Sequence, residues 1–328
     1  MRIKGRANCS LCLSYNGGIV MDMLPIVKQM GMLFLTMFLG FIGGKTGCLT
    51  ETSNKVLSSV VINLTLPCSV LYSALCSERV LSNAQVGLLT VEAIIAFAIV
   101  TVFAKLLMKL FGISERERGV CEFMAIFSNG AFMGYPVIRS LFGTDALFLA
   151  AMVNMVSSVY SYSYGVYIVK GSGDEKFRWK ELTTPMVIAS VLACVLYMLK
   201  VRLPQFIMDW MGFVDQATSP LSMMTVGCAL AFANRERIRS SWKTDCVVLI
   251  RMLVFPLVCY WIITAVTGNE LIAGVMAVLF AMPAAASTTM FCARYDNDQG
   301  LASAAIFITT VASGVTIPLV CFLMTSLN

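Results

Sequence analysis

Phe127-Ser-Asn-Gly-Ala-Phe-Met-Gly-Tyr-Pro-Val-Ile-Arg-Ser-Leu-Phe142 lies in an apolar segment that runs from about Gly119 to Leu141. Within that segment Ser128, Asn129, Gly130, Gly134 and Pro136 are out of place. Glycine favours unwinding of a helix, and proline removes a backbone donor and crowds the preceding turn. Irregular backbone at membrane depth is tolerated only where it is buried in protein or lines a cavity. A polar interruption here therefore predicts a broken helix that carries a ligand site.

The rest of the chain supplies the membrane. A mean hydropathy of +0.82, with 58% hydrophobic and only 13% charged residues, excludes an ordinary soluble domain. The apolar runs are of helix-spanning length, and the strict alternation of a membrane barrel is absent. The predicted fold is an all-α polytopic membrane protein with ten transmembrane segments. They fall near Leu24–Gly44, Lys55–Leu75, Gln85–Leu110, Gly119–Leu141, Ala146–Val169, Thr184–Lys200, Phe206–Ala233, Asp245–Thr267, Leu271–Arg294 and Gly300–Leu327.

Residues 1–23 do not fit that pattern. They have neither a convincing apolar core nor a small-residue cleavage site, and Met21 and Met23 immediately precede the first segment. A disordered tail, or an upstream start, is expected there. The Cys9–Cys12 pair lacks any surrounding redox or zinc pattern, and no metal is expected.

Lys and Arg set the orientation. Lys105, Lys109, Arg116 and Arg118, the loop at 171–183, and the run from Arg235 to Lys243 fall on one side. Arg79, Arg139, Lys200 and Arg202 fall on the other. The bias predicts a cytoplasmic central loop and two extracytoplasmic termini in a plasma (cytoplasmic) membrane.

Pro67 and Pro220 are 153 positions apart, as are Asp145 and Asp298, and Asn129 precedes Pro283 by nearly the same interval. A shared offset predicts two five-helix halves, residues 24–170 and 184–328, the second inverted because five is odd. Segments 4 and 9 would then cross at the midplane. Ser128, Asn129 and Gly130 on one, and Pro283, Ser287 and Thr288 on the other, would present amides and hydroxyls to an anion. Gly134, Pro136 and Pro283 would break the helices. Asn154 shares a polar face of segment 5 with Ser157 and Ser158. Glu92 and Arg251, ionisable at depth, are the candidates for ion coupling.

Other chemistries find no motif. There is no phosphate loop or dinucleotide fingerprint, and without histidine no histidine relay or metal site. The basic loops read as topology signals rather than a nucleic-acid surface.

Asn63-Leu-Thr-Leu-Pro67, Asn129-Gly-Ala-Phe-Met-Gly-Tyr-Pro136 with Leu141-Phe-Gly143, Pro220-Leu-Ser-Met-Met-Thr-Val-Gly227, Arg251-Met-Leu-Val-Phe-Pro256 and Met282-Pro283 resemble the auxin efflux carrier family. That family includes plant auxin exporters and bacterial permeases for malate or malonate. The resemblance implies ten helices in two inverted repeats, a scaffold and a moving transport domain, and an elevator-like cycle. It also implies a carboxylate bound near Asn129 and Pro283. The similar fold of sodium–bile acid symporters leaves proton and sodium both open as coupling ions. The partners expected are a small organic anion, the lipid bilayer and a second copy in a homodimer, with no cofactor. A non-transporting ligand sensor is the competing class.

Overall fold

The computed structural model describes residues 12–15, 18–21, 23–76, 83–144, 146–170, 185–232, 241–295 and 297–326. The central loop at 171–183, Arg79, Asp145 and the arginines from Arg235 to Arg239 lie outside them. In the N-terminal tail, where no structure was expected, strands β1 (Cys12–Tyr15) and β2 (Gly18–Met21) pair as an antiparallel hairpin, Cys12 opposite Met21. Every other described element is helical.

The helices are α1 (Met23–Lys45), α2 (Glu51–Val60), α3 (Leu66–Cys76), α4 (Asn83–Phe111), α5 (Glu115–Ile126), α6 (Tyr135–Phe142), α7 (Ala146–Tyr160) and α8 (Val166–Lys170). They continue with α9 (Pro185–Leu199), α10 (Gln205–Ala231), α11 (Trp242–Thr267), α12 (Glu270–Ala281), α13 (Ser287–Arg294) and α14 (Gln299–Ser326). Three five-residue π turns, Val61–Thr65, Gly130–Gly134 and Ser161–Gly165, lead into α3, α6 and α8. Among the described residues five helical stretches are long and apolar enough to cross a bilayer: Glu51–Leu75, Ala84–Phe111, Ala146–Lys170, Trp242–Thr267 and Gln299–Met324. The shorter apolar helices include Gly31–Lys45, Val187–Leu199 and Glu270–Ala281. This is an all-α membrane protein, and its outer surface agrees. Leu35, Phe38, Val102, Leu110, Phe213, Trp261, Val266 and Val315 are large, apolar and exposed, as lipid requires.

Two groups of helices emerge from the packing. In the first, α1 lies along α10, and α3 packs on α9 and α10. The approach of α1 to α10 is as close as backbones allow. A Cβ on Gly227 would sit 1.7 Å from the Met37 carbonyl oxygen, and one on Gly40 would sit 2.2 Å from that of Met224. Small residues at such crossings are the usual means of tight association in lipid. The Ser69 and Thr218 hydroxyls join α3 to α10 at 2.9 Å.

The second group forms around α5 and α12. From Val120 to Ile126 and from Ile272 to Ala281 every residue is buried. Helical stretches buried on every side are enclosed by other helices. Here α4, α11 and α14 pack against α5, while α7, α11 and α14 pack against α12.

Candidate functional site at the helix crossing

Both enclosed helices stop in the interior. α5 ends at Ile126 and Phe127 is extended (φ −99°, ψ 126°). α12 ends at Ala281 and Met282 is extended (φ −63°, ψ 151°). The freed backbone groups meet each other as an antiparallel bridge, Ser128 opposite Ala284. The Asn129 N–H donates to the Pro283 carbonyl at 2.8 Å, and the Ala285 N–H donates to that of Phe127 at 3.2 Å. Proline suits position 283 because there the chain needs an acceptor. Backbone polar groups in a dry interior cost several kcal/mol if unpaired, so mutual satisfaction is what makes the double break tenable.

Three side chains complete the crossing. Ser128 Oγ donates to the Leu279 carbonyl at 2.7 Å, in the last turn of α12. Thr309 Oγ1, on α14, accepts from the Ala284 N–H at 3.3 Å. Arg251, fully buried on α11, donates from Nη1 to the Phe280 and Met282 carbonyls at 2.6 and 3.2 Å, and from Nη2 to that of Met124 at 2.9 Å. One guanidinium thus caps the C-terminal, partially negative ends of both half-helices. Among the described residues its hydrogen bonds go to backbone carbonyls, which puts the candidate ion-coupling residue at the crossing itself.

Beyond the bridge the backbone turns back into helix. Asn129 opens the turn Gly130–Gly134 with its side chain making no capping bond to that turn, although the residue is only 5% exposed. Asn154, on α7, stands directly against it: a Cβ on Gly130 would lie 3.2 Å from Asn154 Oδ1. The buried Tyr135 hydroxyl lies beside Asn154. Asn129, Gly130 and Asn154 are therefore together at one place. Ser287, partly exposed, begins α13 next to exposed Ala286. Thr288 is different: it is fully buried and its hydroxyl donates to the Ala285 carbonyl at 2.6 Å, inside its own turn.

One expected feature differs. Gly134 and Pro136 do not break the helix. The break is at 127–129, and Pro136 sits within the first turn of α6, directly after the π turn. Glu92, the other candidate for ion coupling, lies on α4 away from the crossing. It faces a crevice between α4 and α11 lined by Ile95, Ile99, Phe255, Val258, Cys259 and Ile262, with both carboxyl oxygens buried and unpartnered among the described residues.

Two polar clusters were not read from the sequence. On the inner helix α5, buried Glu122 accepts from the Tyr164 hydroxyl at 2.5 Å and faces Lys105 Nζ at 3.7 Å. On α6, Arg139 forms an ion pair with fully buried Asp215 of α10, and its Nη1 donates to the Asp215 carbonyl at 3.2 Å. The available signal was an acid within the apolar run Phe206–Ala233.

A model of the family described as membrane transport protein matches residues 25–177 and 172–321. The uncharacterized transporter MJ1031 of Methanocaldococcus jannaschii is 26% identical over 306 residues, covering 90% of this chain and 98% of that one. An uncharacterized transporter of Methanothermobacter thermautotrophicus is 26% identical over 290 residues, covering 88% and 94%. The uncharacterized transporter YfdV of Escherichia coli K12 is 21% identical over 310 residues, covering 91% and 95%. With a match to each half and relatives aligned over almost their whole length, the chain belongs to the membrane transport protein family, that of the auxin efflux carriers.

Proposed function

We propose that this transporter carries small organic anions, mono- or dicarboxylates, by moving the helix group around the crossing past the group built on α1 and α10. The carrying observation is at Asn129. Its backbone is fixed to Pro283 at 2.8 Å, while its side chain is not used to cap the turn that follows. A fixed, uncommitted amide beside Asn154 and the start of a helical turn is a donor set suited to a carboxylate.

The two-halves reading has support in the packing. α1 against α10 has its counterpart in α9 against α3, and α4 against α5 in α11 against α12. Each pair exchanges the corresponding segments of the two halves, as an inverted repeat of ten segments would. The Lys and Arg distribution supports a cytoplasmic central loop.

Labelled malate, malonate and indole-acetate offered to proteoliposomes provide the test, with proton and sodium gradients imposed separately. Saturable uptake is expected, lost in Asn129→Ala, and the gradient that drives it names the coupling ion. Folded protein that moves none of these carboxylates under either gradient refutes the anion reading.

A further inference from the structure

The boundary between the two helix groups holds a second polar site, on α6 beyond the π turn that follows Asn129. A cavity of about 410 Å³ is lined there by Leu33 of α1, Arg139 and Ser140 of α6, and Gln216 and Ser219 of α10. That volume is in the range of small-molecule sites. Arg139 is the cation on its wall, in the last turn of α6, with 24% of its side chain exposed.

Arg139 has an acid partner, but the pairing is incomplete. Nη2 meets only one Asp215 carboxylate oxygen, and Nη1 is given to the Asp215 backbone carbonyl instead. Asp215 Oδ1 is buried with no hydrogen-bond partner among the described residues. A guanidinium binds a carboxylate best through two parallel bonds to its two oxygens. Asp215 does not provide that geometry from its place in α10, whereas a free carboxylate entering the cavity from its open side can. Arg139 lies on α6, which packs on α7 and α12 of the second helix group, and Asp215 on α10 of the first, so any relative movement of the groups loosens their contact further.

We propose that Arg139 is an anion-capture site for carboxylates on the way to the crossing, and that Asp215 is its built-in competitor. Asp215 occupies the guanidinium when the cavity has no anion and yields it to one that arrives. The inference rests on the anion reading above. It differs from a structural ion pair in one measurable respect: removing the two partners has opposite effects.

The test is malonate titration of the purified full chain, read as thermal stabilisation, beside the malonate KM in liposomes. Asp215→Asn removes the competitor and is expected to lower the half-saturating concentration about fivefold. Arg139→Gln is expected to raise it roughly tenfold, the scale of one or two charge-assisted bonds. The double variant, which leaves no buried charge unpaired, should follow Arg139→Gln and serves where that single variant does not fold. If both single variants weaken binding and the exchanged pair, Arg139→Asp with Asp215→Arg, restores it, the pair is a structural latch and the inference fails. It fails equally if neither substitution moves the titration. Wild-type protein that transports malonate under those outcomes retains the anion reading. Wild-type protein that no carboxylate stabilises or crosses with overturns both.

Discussion

Arg251 brings three carbonyls from two helices to one side chain, and all three would lie in a dry interior without it. An orphaned buried acceptor costs about 1–3 kcal/mol. Arg251→Met is therefore expected to destabilise the fold by at least ~2 kcal/mol, read as a lowered melting temperature in detergent. Arg251→Lys should recover part of the loss, because an ammonium donates but lacks the planar fork that reaches both helix ends. If the substituted proteins melt like wild type and lose only gradient dependence, Arg251 is a coupling residue after all. Thr288 offers a complementary case. Its hydroxyl is committed to the Ala285 carbonyl, so Thr288→Val should cost about 1 kcal/mol of stability and leave the substrate KM unchanged. Ser287→Ala, at the partly exposed start of α13, should raise KM instead. A KM effect confined to Thr288 would mean the site lies deeper than the crossing geometry places it.

At the scale of the element, two of the three π turns share a cause. In Val61–Thr65 and Gly130–Gly134 the closing bonds run from Leu66 to Val61 and from Tyr135 to Gly130, five residues back. Each is followed at once by X-Pro, Pro67 or Pro136. A proline has no N–H for the residue four back, and its ring crowds that carbonyl. Widening the turn relieves the crowding without ending the helix. Pro136→Ala should let the turn tighten. Alanine is better by ~3 kcal/mol in a helix interior, so stability should hold or rise while uptake falls several-fold as Asn129 is displaced. Unaltered uptake in a protein of higher melting temperature would show that the π turn does not position the site. Sequence reading saw both prolines and both interruptions, since glycine, proline and asparagine act locally on the backbone. It placed the polar break at Asn129 but gave Gly134 and Pro136 a breaking role as well, because whether a proline breaks, kinks or widens a helix depends on its neighbours in space. The close approach of α1 and α10 was likewise illegible: Gly227 and Gly40 look like any glycines until the partner helix is present. Gly227→Ala should prevent folding, whereas Gly87→Ala, with nothing within 4 Å of the added carbon, should be silent. Expression as a single folded species by size-exclusion chromatography separates the two.

For the molecule as a whole, class and membrane residence were legible from composition, and the meeting of Asn129 with Pro283 from the spacing of breakers. Pairings such as Arg139 with Asp215, 76 positions apart, were not, because they exist only once two helix groups face each other. That boundary is also where the proposed movement must occur. Leu33 and Ser140 line one cavity but belong to different groups, α1 and α6. Ser69 and Thr218 touch at 2.9 Å within a single group, on α3 and α10. In a background lacking the twelve native cysteines, Leu33→Cys with Ser140→Cys, bridged by a short thiol-cleavable cross-linker, should stop uptake and regain it on reduction. Ser69→Cys with Thr218→Cys, oxidised to a disulfide, should leave uptake near its starting level, since that pair moves as one body. The comparison works because both variants carry one cross-link in one fold and differ only in whether the link spans the boundary. Uptake that survives both links, with cross-linking shown to be complete, would mean that the groups do not move past each other. Access to Asn129 would then have to alternate through smaller motions of α6 and α13 beside a fixed bridge.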